Sequence, residues 1–329
     1  MTEREGVALT HLDQPVFDGA EATKRDLVDY LDAVSDRLIP VLRDRALSVI
    51  RARQGQAPFM QKNLPRYAPG WISTVSVWAA SSAREISYPL CNDRRTLLWL
   101  ANQRAVEYHP ALVVAQRTDQ PTHLVLDLDP PSDLVPRLGF DRAVAAAKLI
   151  RQTLSDAGLV GAVKTSGAKG VHVFVPLCPI GPDGVAGCPP EDVAAATRAL
   201  AARAERLDPD LATTAFLRAD RGGRVYLDPT RSGGATVVAA YSPRARAGLP
   251  VSFPLAWSDL DQVTPADFTV RTAPSLLADR DPWRDTMPEP ATLPPDLIAE
   301  GHQIPIPRVQ AMHEGKRRAR AKRSAEPKE

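Results

Sequence analysis

The chain has 329 residues, of which 44% are hydrophobic, and its 41 lysine and arginine residues against 39 aspartate and glutamate residues give a net charge of +2. A chain of this size can bury a large core, and the small net charge excludes a general polycation, so an anionic partner must meet local basic patches. Cys91, Cys178 and Cys188 show neither a metal-binding spacing nor an even disulfide count, and no apolar run reaches the roughly 18 residues of a membrane span. We expect a soluble cytoplasmic protein.

The first half of the chain reads as a helix followed by strands. Thr23 is a candidate N-cap for an amphipathic helix whose apolar stripe runs from Leu27 to Leu38 and which Pro40 closes. The segments RALSVIRARQG and WISTVSVWA read as strands, separated by the polar stretch PFMQKNLPRYAPG. The segment RRTLLWLANQRAVEYHPAL is predicted to be helical as far as Pro110.

The second half alternates between strands and helices. HLVLDLDPP reads as a strand, the alanine-rich segment from Phe140 to Ala157 as a helix, and GAVKTSGAKGVHVFVPL as a turn followed by a strand. A further helix is predicted from Glu191 to Arg206, and RVYLDP as a strand ending in Asp228. This alternation predicts an α/β (α+β) protein with mixed central β-sheets and flanking helices.

Two aspartates interrupt the apolar strand HLVLDLDPP. Because side chains alternate along a strand, Asp127 and Asp129 lie on one face, and the two following prolines place them near the strand end. One interpretation is a solvent-facing pair on an edge strand; the other is a divalent-cation site, since carboxylate oxygens suit Mg²⁺ or Mn²⁺ and neighbouring carboxylates repel. Asp228 ends a second strand, opposite Val225 and Leu227, which suggests a three-aspartate site.

The segment KTSGAKGVHVFV is the counterpart of the acidic pair. Its glycines permit a tight turn whose N–H groups can hold phosphate oxygens, with Ser166, Lys169 and His172 as further donors. A lone histidine on a strand is most often structural, which applies equally to His109 in EYHP. Arg244 in YSPRARAG would ordinarily be a solvated surface residue.

Taken in order, these motifs resemble a known family. The acidic pair, KTSGAKGVHV, the third aspartate and YSPRARAGLPVSFPLAW resemble the polymerase domain of bacterial DNA ligase D, a branch of the archaeo-eukaryotic primase superfamily. TKRDLVDYL, FMQKN, LLWLANQRAVEYHP and WSDL extend the resemblance over about residues 8 to 262. It implies a template-directed nucleotidyltransferase, a DNA repair polymerase or primase-polymerase that fills short gaps and prefers ribonucleotides, in end joining, base excision repair or priming.

The resemblance also implies the roles of individual residues. Two divalent ions, Mn²⁺ or Mg²⁺, would be held by Asp127, Asp129 and Asp228. In the NTP or dNTP substrate, the sugar would lie near His109. The triphosphate would be bound by Ser166, Lys169 and His172, and Arg244 would compensate the charge that develops in the transition state. DNA would be contacted through template stacking, the backbone and a downstream 5′-phosphate pocket by Phe59, Lys62, His11, Gln14 and Lys24.

Several positions depart from the family pattern. Met60 stands where a second stacking aromatic is usual, and Arg231 and Ala235 stand where an asparagine and a lysine are usual. In the 5′-phosphate pocket, His11 and Gln14 replace an asparagine and a lysine. We therefore expect a weaker 5′-phosphate preference and a role nearer general gap filling or excision repair than end bridging.

The resemblance suggests a division of the chain. Residues 1–300 form the expected primase-polymerase domain, with a DNA-contacting subregion at 1–115, a catalytic core at 116–262 and a proline-rich C-terminal wrap at 263–300; residues 301–329 are a basic, disordered tail. No ligase or nuclease segment follows, so we expect a stand-alone monomer in the bacterial cytoplasm or nucleoid. Its expected partners are gapped or primer-template DNA, a separately encoded ATP-dependent DNA ligase and an end-binding protein.

Two alternatives remain open from the sequence. LVLDLDPP also resembles the nucleophile motif of haloacid-dehalogenase-like phosphatases, although Pro130 follows the second aspartate where threonine or valine is usual. The second is a catalytically inactive nucleic-acid-binding module on the same fold, against which the retention of all three aspartates argues.

Overall fold

The computed structural model describes residues 2–79, 83–179, 187–232 and 236–306. The strands within these ranges are β1 (Thr2–Arg4), β2 (Val7–Leu9), β3 (Leu47–Arg53), β4 (Gln56–Gln61), β5 (Thr74–Ala79), β6 (Arg84–Pro89), β7 (Ala105–Pro110), β8 (Val113–Val114), β9 (Arg117–Pro121), β10 (His123–Asp129), β11 (Ala162–Thr165), β12 (Val171–Pro176), β13 (Ala212–Thr213), β14 (Val225–Asp228) and β15 (Pro254–Leu255). The α-helices are α1 (Lys24–Ala33), α2 (Ser35–Leu42), α3 (Arg94–Asn102), α4 (Pro136–Asp156), α5 (Pro190–Leu207), α6 (Ala273–Leu277), α7 (Pro282–Thr286) and α8 (Pro295–Gln303). None of these helices is long and apolar enough to cross a membrane.

A six-stranded mixed sheet forms the centre of the molecule, in the order β13-β14-β10-β12-β11-β15. Its strand pairs are antiparallel except for β13 and β14, which run parallel. A three-stranded antiparallel sheet, β4-β3-β7, lies in the N-terminal part of the chain. The fold is therefore mixed α/β, as the sequence predicts.

Alternation along β10 divides the central sheet into an apolar face and a polar face. Leu124, Leu126 and Leu128 are fully buried on one side, where helices α4 and α5 pack against the sheet. Asp127 and Asp129 project from the other side, as the period-2 pattern predicts. Strand β10 is interior to the sheet and has a partner on each side, so the edge-strand interpretation of the acidic pair is wrong.

The first predicted helix is divided in two. Thr23 caps α1 through a capping box with Asp26, as predicted, but the helix ends at Ala33 and α2 continues through Pro40 to Leu42. Proline inside a helix costs about 3 kcal/mol. Burial of Leu38 and Leu42 against the core offsets that cost, so Pro40 does not close the helix.

Three further segments differ from the prediction because tertiary pairing overrides the local pattern. Helix α3 ends at Asn102, Arg104 adopts a positive φ of 62°, and the residues from Ala105 to Pro110 form a strand that pairs with β3 rather than more helix. The stretch predicted to be a polar separator contains β4, an exposed edge strand that pairs with the other side of β3. KTSGAKGVHVFV likewise proves to be a full hairpin, β11 and β12, around the predicted turn.

The C-terminal segment folds back onto the six-stranded sheet and its helices. Trp283 in α7 packs edge-on against Phe174 of β12, and α8 packs against α5. Helix α8 continues to Gln303, past the predicted boundary at residue 300, and the predicted basic tail from residue 307 onward lies outside the described residues. The division at residues 115 and 262 stays a prediction.

Candidate active site

Four polar side chains form a row across the middle of the central sheet. Asp228 of β14 pairs in register with Asp127 of β10, Asp127 pairs with His172 of β12, and His172 pairs with Lys164 of β11. All four are buried, and Lys164 has no exposed surface. Groups this polar are stable in a sheet interior only when they satisfy one another.

Hydrogen bonds along this row have a determined direction. Ser252 Oγ donates to the carbonyl oxygen of Thr165 (2.8 Å), so it accepts from Lys164 Nζ. Lys164 Nζ also lies 2.8 Å from His172 Nδ1, which therefore acts as the acceptor. The remaining ring proton is on Nε2, which lies 3.1 Å from Asp127 Oδ1. The row thus directs a donor at one oxygen of the predicted metal ligand.

The electrostatics of the row keep Asp127 ionised. Burial together with the Lys164 charge lowers the pKa of His172 to about 4, so the ring is neutral at pH 7 and acts on Asp127 as a hydrogen-bond donor rather than as a full charge. Burial opposes ionisation of Asp127, but His172 and Arg231 hold its pKa below the usual range. Burial likewise lowers the pKa of Lys164.

Asp129 has a different environment from Asp127. It is the last residue of β10 and its side chain keeps an exposed surface at the mouth of the site. Desolvation within the cleft, together with repulsion from Asp127 and Asp228, raises its pKa to about 7. Of the three aspartates, Asp129 is therefore the one whose ionised form most needs a neighbouring positive charge.

A cation already lies between two of the three aspartates. Arg231 Nε is 3.3 Å from Asp127 Oδ2 and 3.3 Å from Asp228 Oδ2. Among the described residues, no three histidine, cysteine, aspartate or glutamate side chains are close enough to ligate a metal ion as they stand. The all-oxygen donor set nevertheless suits a hard divalent cation, and the position of Arg231 shows that the carboxylate pair accepts positive charge.

The predicted phosphate turn lies beside this acidic pair. Ser166 Oγ accepts from the N–H groups of Ala168 and Gly170, so the hydroxyl stabilises the turn. Gly167 has a φ of +67°, and a Cβ at Gly170 would overlap the carbonyl oxygen of Leu128. Both positions therefore require glycine, the first for its backbone conformation and the second for close approach to β10.

A cavity of about 670 Å³ opens between the turn and the aspartates. The structure brings five of the predicted site residues together in its lining: Asp127, Asp129, Ser166, Lys169 and His172. The other charged side chains that line it are one further carboxylate, Asp133, and six arginines: Arg218, Arg221, Arg224, Arg231, Arg244 and Arg246. Acidic ligands for a cation thus face basic ligands for an anion across one cavity.

Glu107 links two of the predicted nucleotide contacts. Its carboxylate is 2.9 Å from His109 Nε2, 3.0 Å from Arg244 Nε and 2.9 Å from the backbone N of Ala245. The Arg244 contact is an ion pair whose N–H is not directed at the oxygen. His109 does not line the cavity itself, but this carboxylate connects it to Arg244, which does.

The predicted DNA-stacking residues lie on the exposed edge strand β4. Phe59 is 38% exposed and Met60 47% exposed, and Lys62 follows the strand on the surface. The guanidinium groups of Arg51 and Arg53 lie about 6 Å from the centre of the Phe59 ring. An exposed ring beside two cations is suited to a nucleic-acid base next to its phosphates.

The three predicted 5′-phosphate residues differ in their exposure. Lys24 is only 2% exposed, its Nζ donates to the carbonyl oxygen of Thr10 and to Asn102 Oδ1 (2.6 Å each), and burial lowers its pKa to about 8. Gln14 is exposed and accepts from Arg104 (2.7 Å). His11, also exposed, closes a turn with Gln14. The Lys24 ammonium is thus already engaged by protein oxygens.

Sequence reasoning missed several residues of this site. Glu107 lies two residues before His109, on the same face of strand β7. The sequence predicts a helix for this segment, and in a helix two residues at this spacing do not face each other. Lys164 opens the quoted phosphate motif, and only its burial and pairing reveal its contacts. The arginines of RADRGGR are a charge cluster before Asp228 that their spacing alone could have indicated. Ala235 lies outside the described residues.

Comparisons with known proteins point to one family. The family model described as LigD, primase-polymerase domain, matches residues 23–283. A bifunctional non-homologous end joining protein LigD from Bacillus subtilis is 35% identical over 268 residues, which are 80% of this chain and 41% of that protein. A multifunctional non-homologous end joining protein LigD from Pseudomonas aeruginosa is 31% identical over 85% of this chain and 33% of its own length. This chain therefore spans less than half the length of these relatives.

A solved structure is similar over nearly its whole length. The polymerase domain from Mycobacterium tuberculosis ligase D, in complex with DNA, superposes with a TM-score of 0.72 at 29% identity. The similarity covers 85% of this chain and 97% of that domain.

The raised pKa of Asp129 predicts how the free energy of unfolding depends on pH. Its carboxyl binds a proton in the native state up to about pH 7, but in the unfolded chain only up to about pH 4. Between these values the native state binds more protons, so the free energy of unfolding falls as the pH rises. Asp129→Asn should flatten that fall, by about 1 kcal/mol or less because the side chain is partly solvated.

Urea denaturation with a chelator present, at several pH values from 4.5 to 8, measures this effect. Asp119→Asn is the matched control, since Asp119 is an exposed carboxylate that does not line the cavity. Parallel stability curves for wild type and Asp129→Asn would show that Asp129 ionises as an isolated group.

Proposed function

This chain belongs to the LigD primase-polymerase family of DNA nucleotidyltransferases, and on that basis we propose that it is a template-directed DNA repair polymerase that fills short gaps. The observation that carries the proposal is that Asp127 and Asp129, with Asp228 in register beside Asp127, adjoin a cavity that Lys169 and six arginines also line. A nucleoside triphosphate with its divalent cations matches that distribution of charge.

Two divalent ions, Mn²⁺ or Mg²⁺, are held by Asp127, Asp129 and Asp228 in this proposal. When bound, they supply activation of the primer hydroxyl and neutralisation of the leaving pyrophosphate. The chain prepares that site by holding Asp127 through the Nε2–H of His172. Asp129, whose pKa is raised by burial and by repulsion from Asp127 and Asp228, would gain the counter-charge that it lacks from such an ion.

The incoming nucleotide occupies the basic side of the cavity. Ser166 shapes the turn, Lys169 and the arginines bind phosphate oxygens, and Arg244 compensates charge that develops in the transition state. We place the nucleotide sugar at His109. A 2′-hydroxyl then gains a hydrogen bond worth on the order of 1 kcal/mol, so ribonucleotides are preferred several-fold.

DNA reaches this site across the N-terminal sheet. Phe59 stacks on a template base, and such stacking contributes about 1–3 kcal/mol per base. Lys62 contacts the DNA backbone. The relatives carry end joining in their names, and gap filling during end joining or base excision repair is the role we propose for this chain. A ligase on a separate chain and an end-binding protein are the corresponding partners.

The two alternatives are weaker on the same observations. A haloacid-dehalogenase-like phosphatase needs one nucleophilic aspartate and does not account for Asp228 in register beside Asp127. An inactive nucleic-acid-binding module does not account for buried carboxylates that oppose DNA binding electrostatically. A nucleotide-incorporation assay on gapped DNA with Mn²⁺ separates the polymerase from both alternatives, and release of phosphate from a phosphomonoester separates the two alternatives from each other.

The first prediction from this function concerns the three aspartates. Asp127→Ala or Asp228→Ala should lower single-turnover incorporation by at least about a hundredfold, about 2.7 kcal/mol, because the metal ions lose a ligand. Binding of gapped DNA, followed by fluorescence anisotropy, should change little, since the DNA contacts lie on another sheet. Asp119→Ala is the control, because Asp119 is an exposed carboxylate that does not line the cavity. Incorporation by either triad variant within about tenfold of wild type would refute the assignment.

Arg231 generates a prediction about metal affinity. Its guanidinium and a divalent ion require the same oxygens of Asp127 and Asp228, so they compete. Arg231→Gln should tighten Mn²⁺ binding about three- to tenfold, up to about 1.4 kcal/mol. Calorimetry of the protein alone measures this, with Arg137→Gln, an exposed arginine paired with Asp141, as control. Unchanged or weaker binding would show that Arg231 supports the ions instead of competing with them.

The 5′-phosphate preference follows from the N-terminal contacts. Lys24 is buried, whereas Arg104 is partly exposed and uses three of its five N–H donors on protein oxygens, those of Gln14 and of the Pro15 and Val16 carbonyls, so donors remain for an anion. We propose that Arg104 supplies the principal cation of a weakened pocket. Arg104→Gln should then reduce the advantage of a 5′-phosphorylated gap more than Lys24→Met does.

Titrations against gapped DNA with and without the downstream phosphate provide the test. The wild-type phosphate effect should stay below about a hundredfold, about 2.7 kcal/mol. Arg25→Gln is the control, because Arg25 is exposed nearby in an ion pair with Asp13. A larger effect, or one abolished by Lys24→Met alone, would overturn this account of the pocket.

A further inference from the structure

Glu107 is a buried carboxylate that contacts no predicted substrate group yet touches two predicted substrate-binding residues. It is 4% exposed, on strand β7, in the three-stranded sheet. Its contacts with Arg244 and Ala245 reach across to the loop that precedes β15 of the six-stranded sheet. One carboxylate thus ties together the two sheets between which the nucleotide is proposed to bind.

The ionisation state of Glu107 determines the direction of its hydrogen bonds. Burial alone would raise the pKa of this carboxyl, but the hydrogen bond from His109, the Arg244 charge and the Ala245 N–H lower it to about 2. An ionised carboxylate only accepts hydrogen bonds. His109 must therefore carry its proton on Nε2, the nitrogen 2.9 Å from Glu107 Oε2.

The other ring nitrogen of His109 is then left as an acceptor. Among the described residues, His109 Nδ1 has no hydrogen-bond partner, and 12% of the side chain is exposed. A nitrogen lone pair accepts a hydrogen bond from a sugar hydroxyl group. In a deoxy sugar a hydrogen atom replaces that hydroxyl, and the carbon-bound hydrogen donates no comparable hydrogen bond.

The same carboxylate orients Arg244. Glu107 pairs with Nε of Arg244, while NH1 of Arg244 donates to the carbonyl oxygen of Ser166 (2.6 Å) at the start of the phosphate turn. Movement of Glu107 would therefore displace the sugar contact and the phosphate contact together.

We propose that Glu107 is the positioning residue for sugar selection: it holds His109 as the Nε2–H tautomer, with Nδ1 free to accept from a hydroxyl of the incoming nucleotide, and holds Arg244 in the same rigid unit. This inference rests on the proposed function only in placing the nucleotide sugar at His109. The tautomer itself does not depend on any activity.

The tautomer is tested by nitrogen NMR of ¹⁵N-histidine-labelled protein, with His109 assigned from His109→Gln. Wild type should show the proton on Nε2. Glu107→Leu removes both acceptor oxygens, and Glu107→Gln leaves one acceptor in place of two, so in these variants His109 should populate both tautomers. Glu300→Gln is the matched control, because Glu300 also binds two arginines, far from this site. An unchanged Nε2–H tautomer in both Glu107 variants would overturn the proposal.

Sugar selection is tested by single-turnover incorporation of a ribonucleotide and the matching deoxyribonucleotide. Glu107→Gln should lower the ribonucleotide preference at least threefold toward parity, whereas Glu300→Gln should keep the wild-type ratio even if its thermal stability falls. Equal losses for both sugars, with the ratio preserved, would reduce Glu107 to a structural role and refute the inference. If wild type incorporated neither nucleotide, the proposed function would fail while the tautomer measurement still decided the role of Glu107.

Discussion

The repulsion among carboxylates in the middle of a β-sheet is the constraint on which the rest of this site depends. Asp127 and Asp228 are paired directly across two strands and are both largely buried, with Asp129 two residues further along. Negative charges so placed destabilise the fold unless donors and cations surround them. His172, Arg231 and the hydrogen bonds behind them meet that requirement, so the architecture around the aspartates is a set of counter-charges.

The counter-charges are arranged in two different ways, which separates structural from ligand-binding roles. Lys164 and Ser252 are buried behind His172 and hold it from within the sheet, where no ligand reaches them. Arg218 and Arg246 instead line the cavity and are exposed on its surface. The first group holds the carboxylates in place, whereas the second can contact an anionic substrate.

The nucleotide side of the site depends on a contact between two sheets. The turn carrying Ser166 belongs to the six-stranded sheet and His109 to the three-stranded sheet, and the Glu107–Arg244 ion pair joins them. A buried ion pair contributes little net stability because desolvation offsets the attraction. The Glu107–Arg244 ion pair instead sets the spacing between His109 and the turn that carries Ser166, which belong to different sheets.

The sequence by itself determined the features that neighbouring residues encode. Alternation placed Asp127 and Asp129 on one face, the prolines after them ended the strand, and the glycines of the phosphate motif specified its turn. These are local properties, because strand periodicity and backbone freedom depend on a few adjacent residues. Only the tertiary structure decided the register of Asp127 against Asp228, the ion pairs of Arg231, the burial of Lys24 and the strand that carries Glu107 and His109. Each of these depends on which distant segment pairs or packs with a residue, and pairing with β3 overrode the helical pattern that continued past Asn102.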